Sequence, residues 1–130
     1  MYRYGRTSKA RLETCHPLLQ ELFNSLIKDY DISIICGHRT AKEQAEAVRT
    51  KASKTEYPDS KHNALPSLGI DAALYPIAWK DVGRHYMFVG IVRERARALG
   101  IELRCGADWD SDFNTNDQTF NDLVHFELVL

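Results

Sequence analysis

The chain has 130 residues, of which 44% are hydrophobic and 27% charged, and this excludes a disordered or fibrous protein. A formal net charge of -1 excludes a general attraction to nucleic acid or anionic lipid. No apolar run approaches the ~20 residues of a membrane helix, and the N-terminus lacks the apolar stretch of a secretory signal. We therefore expect one domain, residues 1–130. It should be monomeric, made in the cytoplasm and without stable membrane association.

The first half of the chain predicts two helices with a strand between them. Apolar residues at 18, 19, 22, 23, 26 and 27 follow a helical period and predict an amphipathic helix over residues 16–30. The β-branched run DISIIC, residues 31–36, predicts a buried strand. Thr40 and Glu43 form a capping-box pattern that opens a helix over residues 40–50. Arg39 therefore lies at a junction between a strand and a helix.

The second half predicts one more helix and several strands. Residues 51–68 have the composition of a long surface loop, and GIDAALY at 69–75 reads as a strand. A helix over about 81–99 should end at Gly100. Strands are then expected at 101–105 and 124–130, separated by a polar loop. The mixture indicates a small α+β domain with an antiparallel sheet and flanking helices.

The three cysteines, Cys15, Cys36 and Cys105, are interpreted as buried thiols. Their number is odd, and their spacing matches neither a zinc knuckle nor a disulfide scaffold. The sequence therefore gives no reason to assign them as metal ligands.

Histidines and acids at loop and strand positions suggest a metal site. A catalytic zinc site uses three protein ligands and keeps a fourth position open. His62 lies in the long loop, Asp71 in the strand that follows and His125 in the last strand, with Asp122 three residues before it. Spacing alone is weak support, because a loop histidine is more often solvated and a strand histidine more often a core residue.

Longer motifs make the case more specific. The strings GHRTAKEQ, SKHNALPSLGID, LGIELRCGADWD and FNDLVHFEL resemble a known family over the region from about Tyr30 to the C-terminus. They are similar to the small zinc peptidases of phage endolysins that cleave between L-alanine and D-glutamate. These enzymes are related to bacterial D-alanyl-D-alanine carboxypeptidases.

The resemblance implies one zinc ion per chain, in a cleft on the sheet, with His62, Asp71 and His125 as ligands. It also implies that Asp122 is the catalytic carboxylate and that Arg39 belongs to the site. Eight residues separate His62 from Asp71 here, where six are commoner in the family, and the extra pair should bulge the loop.

The residue types suggest roles around that site. Asp122 would take a proton from water and return it to the leaving amine. Arg39 would either stabilise the oxyanion or clamp a substrate carboxylate, and the sequence does not choose. Glu127 shares a strand face with His125 and should orient its imidazole. Supporting or cleft positions are also expected for three further residues: Ser60, Gln44 and Trp109.

An acidic loop offers a second place for a cation. Alternating oxygen side chains of this kind can wrap calcium, although the loop lacks the glycine and the glutamate of a calcium-binding loop. A solvated loop is the preferred interpretation, and a calcium site is the alternative. The residues concerned are Asp108, Asp110, Asp112, Asn114 and Asp117.

The resemblance implies a phage or prophage lysis enzyme that hydrolyses the L-alanyl-D-glutamate bond of peptidoglycan stem peptides. It would act on the wall after another protein has opened the membrane. A D-alanyl-D-alanine carboxypeptidase is the nearest alternative. A non-catalytic, zinc-stabilised binding module is a third, although a purely structural site has no need of the carboxylate of Asp122.

Overall fold

The computed structural model describes residues 1–116, 118 and 121–130, and it confirms a small α+β domain with a flanked antiparallel sheet. The elements, in chain order, are α1 Arg6–Leu12, α2 Pro17–Leu26, β1 Ile32–Cys36, α3 Ala41–Arg49, a 3-10 helix at Lys61–Asn63, β2 Gly69–Leu74, α4 Val82–Leu99, β3 Leu103–Cys105 and β4 His125–Leu128.

The sheet has the strand order β1-β2-β4-β3, and each neighbouring pair is antiparallel. Asp71 on β2 pairs with His125 on β4 and, beyond a register shift in β1, with Cys36. Because paired residues share a face of the sheet, these three side chains come close together. The sheet register is therefore what brings distant parts of the sequence to one place.

Successive side chains of β4 point alternately to the hydrophobic core and to the cleft. Phe126 is fully buried, and its ring lies 6.0 Å from the rings of both Phe23 and Phe88. The flanking His125 and Glu127 point to the opposite face, as a period of two requires. One short strand thus contributes both to the hydrophobic core and to the polar site.

Helix α1 was not predicted, because its sequence RTSKARL buries only Leu12 and carries no apolar stripe. Its polar side chains instead bind the backbone of the edge strand β1. Ser8 accepts a hydrogen bond from the Ile34 amide at 3.0 Å, and Arg11 donates one to the Ile34 carbonyl at 3.1 Å. The helix therefore covers an edge that would otherwise expose unpaired backbone groups.

The predicted helix ends are confirmed at two places. Thr40 and Glu43 form the capping box of α3 in both directions, and Gly100 ends α4 with φ of 73°, which glycine adopts without strain. Other elements are shorter than predicted. Helix α2 stops at Leu26, and β3 and β4 extend only as far as their ladder partners. No helix in the described part of the chain has the length and apolar character needed to cross a membrane.

Candidate active site

Three donor atoms meet at the cleft face of the sheet. His62 Nε2 lies 3.2 Å from Asp71 Oδ1 and 3.2 Å from His125 Nδ1, and the last two atoms are 3.0 Å apart. A tetrahedral ion with bonds of about 2.0–2.1 Å has ligands about 3.3 Å apart, so the spacing fits a small divalent metal. All three residues are buried. The structure thus brings together the residues that the sequence indicates as ligands.

His62 is held in place by its backbone and by its second ring nitrogen. Its amide donates to the Ser60 hydroxyl at 3.2 Å, which caps the 3-10 helix. Its Nδ1 lies 2.7 Å from the Gly37 carbonyl oxygen. Because a carbonyl only accepts, Nδ1 carries a hydrogen, and Nε2 is the ring nitrogen that faces the cluster.

His125 is oriented in the same way by a carboxylate. Its Nε2 lies 2.8 Å from Glu127 Oε1, which directs Nδ1 toward the cluster. Glu127 Oε2 accepts two bonds from Arg104, at 2.7 Å from Nη2 and 3.2 Å from Nε. Burial raises the pKa of Glu127, but the bonds to His125 and Arg104 outweigh it and lower the pKa overall. Glu127 therefore stays ionised and fixes the ring of His125.

The two carboxylate oxygens of Asp71 face different partners, the imidazoles on one side and the guanidinium of Arg39 on the other. Oδ1 faces the two imidazoles, and Oδ2 accepts from Arg39 Nη2 at 3.3 Å. Burial acts to raise the pKa of Asp71, but its bonds to His125 and His62 outweigh that effect and hold the pKa well below its usual range. The carboxylate is thus available as an anionic ligand at any ordinary pH.

The same contacts favour protons on both imidazoles. Burial lowers the pKa of His62, but its bonds to Asp71 and Cys36 outweigh this and raise it to about 10. The pKa of His125 is likewise lowered by burial and raised more strongly by Asp71 and Glu127, to about 9. A metal ion must displace these protons, so its apparent affinity falls as the pH falls.

Asp122 stands beside this cluster in the turn that leads into β4. A carboxylate oxygen of Asp122 and donor atoms of Asp71 and His125 all lie within 4.8 Å of one another. Burial, and then the charge of Asp71, raise the pKa of Asp122 to about 6. A carboxylate that gains and loses a proton near neutrality suits general acid–base catalysis.

Gly106 fixes the position of the Asp122 turn. Its carbonyl accepts from the Asp122 amide at 3.1 Å, and its own amide donates to the His125 carbonyl at 2.9 Å. A Cβ at residue 106 would overlap the Asp122 carbonyl oxygen. Only glycine allows this close approach, so the residue before the acidic loop sets the position of the predicted base.

Gln44 supports the site without lining the cleft. It is fully buried, and its carbonyl oxygen accepts from Arg39 Nη1 at 3.4 Å and from Asn63 Nδ2 at 3.2 Å. Its amide donates to Ser53 Oγ at 3.0 Å and to the Thr55 carbonyl at 2.6 Å. Gln44 therefore joins α3 to both parts of the long loop and keeps Arg39 against Asp71.

A cleft of about 320 Å³ opens over the donor cluster and Asp122. His62, His125 and Asp122 lie at its base, and Trp109 and Arg104 form part of its wall. The indole of Trp109 lies 5.5 Å from the His125 ring, centroid to centroid. The cleft thus presents a donor cluster, a carboxylate and an aromatic wall to one small volume.

Sequence reasoning missed two residues of this region. Cys36 is only half-buried, and its sulfur lies in a group with donor atoms of His62 and Asp71 that spans at most 4.8 Å. Cys15 and Cys105 are buried as expected, and burial raises the pKa of each thiol to about 12. Arg104 is the second residue. Its position opposite Glu127 depends on the β3–β4 register, which the sequence does not specify.

The acidic loop forms a separate group of oxygens. Asp108, Asp110 and Asp112 place carboxylate oxygens within 4.8 Å of one another. Asp108 is buried, and its Oδ2 accepts from Arg93 at 3.0 Å, while Oδ1 has no hydrogen-bond partner among the described residues. Asn114 Oδ1 accepts from the Asn116 amide at 3.0 Å. Asp117 lies outside the described residues.

Comparison with known proteins identifies the family of this chain. The chain is 29% identical to the L-alanyl-D-glutamate peptidase of Escherichia phage T5, over 98% of each chain. Its fold matches the L-Ala D-Glu endopeptidase ChiX of Serratia marcescens with a TM-score of 0.73 and 24% identity, covering 98% of this chain and 90% of the other. The model of the phage L-alanyl-D-glutamate peptidase family matches residues 1–129, and the chain therefore belongs to that family.

Proposed function

We propose that this peptidase depends on zinc and uses it to hydrolyse the L-alanyl-D-glutamate bond of peptidoglycan stem peptides during phage or prophage lysis. The observation that carries the proposal is the convergence of His62 Nε2, Asp71 Oδ1 and His125 Nδ1 beneath a cleft, with Asp122 alongside. Two imidazoles and one carboxylate form a donor set that suits zinc.

A zinc ion held by these three residues would supply a Lewis acid and would lower the pKa of water. Asp122 then accepts the proton of the attacking water and returns it to the leaving amine, so one carboxyl group serves first as base and then as acid. Burial of the carboxyl, which raises its pKa to about 6, prepares it for both steps.

The position of Arg39 favours the oxyanion role over a clamp on a substrate carboxylate. Its side chain is only 14% exposed, and its two terminal nitrogens contact Asp71 and Gln44. This holds a permanent positive charge against the donor cluster, where negative charge develops on the scissile carbonyl oxygen. Arg39 also steadies Asp71 as a ligand.

We also propose that the enzyme is a monomer, does not associate stably with membranes and reaches the wall once the membrane has been breached.

We further propose that the acidic loop can hold calcium. The unpartnered, buried Oδ1 of Asp108 beside Asp110 and Asp112 supports this.

Product analysis tests the proposed reaction and separates it from its two alternatives. Purified peptidoglycan is incubated with zinc-loaded protein, with chelated protein and with the zinc-loaded Asp122→Asn variant, and the products are identified by mass spectrometry. New N-terminal D-glutamate only with the zinc-loaded native protein is the expected result. Release of single D-alanine residues would support the carboxypeptidase instead. Wall binding without any product would support the binding module.

A further inference from the structure

Arg104 is a cation of the cleft wall that the mechanism does not use. Its side chain is 47% exposed, and the guanidinium carbon lies 6.0 Å from the centroid of the Trp109 ring. Nε and Nη2 both bind Oε2 of Glu127. The remaining nitrogen, Nη1, has no hydrogen-bond partner among the residues that the structure describes. Arg104 is thus anchored on one side and has donors to spare on the other.

The other arginine of the cleft is far less open to solvent. Arg39 is 14% exposed, and both of its terminal nitrogens contact buried side chains. Its remaining N–H groups are therefore largely shielded from an anionic group that enters from solvent. The two arginines therefore suit two tasks, one at the base of the cleft and one at its wall.

The substrate brings a carboxylate close to the bond that is cleaved. In a stem peptide, D-glutamate continues the chain through its γ-carboxyl group, so its α-carboxylate stays free. That carboxylate is attached to the same carbon as the nitrogen of the scissile bond. A guanidinium recognises a carboxylate through paired, charge-assisted hydrogen bonds, which a carboxamide cannot reproduce.

We propose that Arg104, held in place by Glu127, binds the free α-carboxylate of the D-glutamate residue and makes the enzyme prefer it over the amidated form. This inference rests on the proposed function. Because Glu127 bonds both Arg104 and His125, the same carboxylate fixes the substrate-binding cation and the metal ligand relative to each other. Substrate position and metal position are thereby linked.

Two lysines, Lys54 and Lys61, also line the cleft, and Lys61 supplies the matched control. It lines the same cleft on the 3-10 helix and is exposed. Its flexible ammonium is a point charge that lacks the planar fork of a guanidinium. If net charge alone drew the carboxylate, loss of Lys61 and loss of Arg104 would have equal effects.

The test compares two soluble stem peptides that differ only in whether the D-glutamate α-carboxyl is free or amidated. The kcat/KM ratio for the two peptides is measured for the native, Arg104→Gln, Arg104→Lys and Lys61→Gln proteins, all zinc-loaded. A preference of about tenfold, the value of one charge-assisted hydrogen bond, is expected for the native protein. It should vanish in Arg104→Gln, persist in part in Arg104→Lys and stay intact in Lys61→Gln.

The ratio cancels any general damage, because a disturbed Glu127 or His125 slows both peptides alike. No preference in the native protein, or an unchanged preference in Arg104→Gln, would overturn the assignment. A binding measurement separates this inference from the proposed function. If neither peptide is cleaved, calorimetry with γ-D-glutamyl-L-lysine and its amidated form decides. A preference that needs Arg104 would then support the inference although the proposed reaction had failed, and its absence would reject both.

Discussion

The cleft cluster and the acidic loop both bring potential metal-ligand atoms together, but they are built in opposite ways. His62, Asp71 and His125 come from three separate elements, are buried, and are each tied through a second atom to Gly37, Arg39 or Glu127. The loop draws its carboxylates from alternate residues of one short stretch, and two of the three are exposed. Its oxygens bind mainly its own backbone and Arg93.

This difference has an energetic meaning. In the cluster, folding of the whole domain has already ordered the ligands, so a metal that binds there meets little further entropic cost. In the loop, carboxylates that are mostly exposed have to be held together against their mutual repulsion. We therefore expect tight zinc binding in the cleft and weak, hard-cation binding in the loop.

The largest expected effect comes from removing a donor from each region. His125→Ala should lose its bound zinc and all measurable peptidase activity, because two ligands remain where catalytic zinc needs three. Asp112→Ala should keep both, since it lies in the other region. Metal content by mass spectrometry and activity on purified peptidoglycan check this. Equal zinc loss in the two variants would contradict the assignment of zinc to the cleft cluster rather than to the loop.

Removal of the predicted base should affect activity while sparing the metal. In Asp122→Asn we expect kcat to fall about 10²–10⁴-fold with zinc content unchanged. In the native enzyme the base acts only when ionised. Activity should therefore fall as the pH drops through the pKa of Asp122, which is about 6, or through a lower value once a bound cation favours the ionised form.

The pH profile of kcat/KM for the native and variant enzymes provides the measurement. The acidic limb should be absent from the residual activity of the variant. If the limb persists unchanged in Asp122→Asn while zinc stays bound over the same pH range, another group is the base.

A smaller effect is expected when the support of a ligand is weakened. Glu127→Gln keeps the size of the side chain but removes the charge that His125 Nε2 faces, and we expect zinc affinity to fall about 10–100-fold. Glu102→Gln, a change at an exposed glutamate in the segment before β3, is the matched control. Competition with a chromogenic chelator measures both. Unchanged affinity in Glu127→Gln would show that the cluster does not depend on its outer partners.

The smallest effect should come from the loop. If calcium binds there, millimolar calcium should raise the Tm of zinc-loaded protein by about 4 °C, since about 1 kcal/mol of linked stabilisation shifts a domain of this size by that much. Asp112→Asn should lose the shift. No shift in the native protein would leave the solvated loop as the better interpretation.

The same contrast explains what the sequence predicts and what it misses. Amphipathic α2, the Thr40 capping box and Gly100 are local patterns, and they were predictable because each is decided within a few residues. Helix α1 was missed because its role is to bind the backbone of β1, which no periodicity encodes.

The same contrast between local patterns and tertiary contacts applies to the site. Motif resemblance singled out His62, Asp71, His125 and Asp122, and the structure shows them close together, although their catalytic roles stay predictions. Spacing alone did not lead to them, because the register of β2 against β4 is a tertiary property. Cys36 depends on the β1–β2 register and Arg104 on the β3–β4 register. Arg104 lies within the string LGIELRCGADWD, but the resemblance implied no role for it.

The segment between His62 and Asp71, two residues longer than is common in the family, has a practical consequence. The backbone is fastened before it, where the Arg39 amide donates to the His62 carbonyl, and after it, where Ser67 exchanges hydrogen bonds with Thr14 and His16. Between these anchors, Leu65 is 72% exposed. Doubling the length of a flexible loop costs only about 0.6 kcal/mol in closure entropy. The Ala64 carbonyl oxygen lies 3.0 Å from His38 Nδ1, so we expect the exposed Leu65, rather than Ala64, to tolerate an inserted tag or fluorophore without displacing the donor atoms.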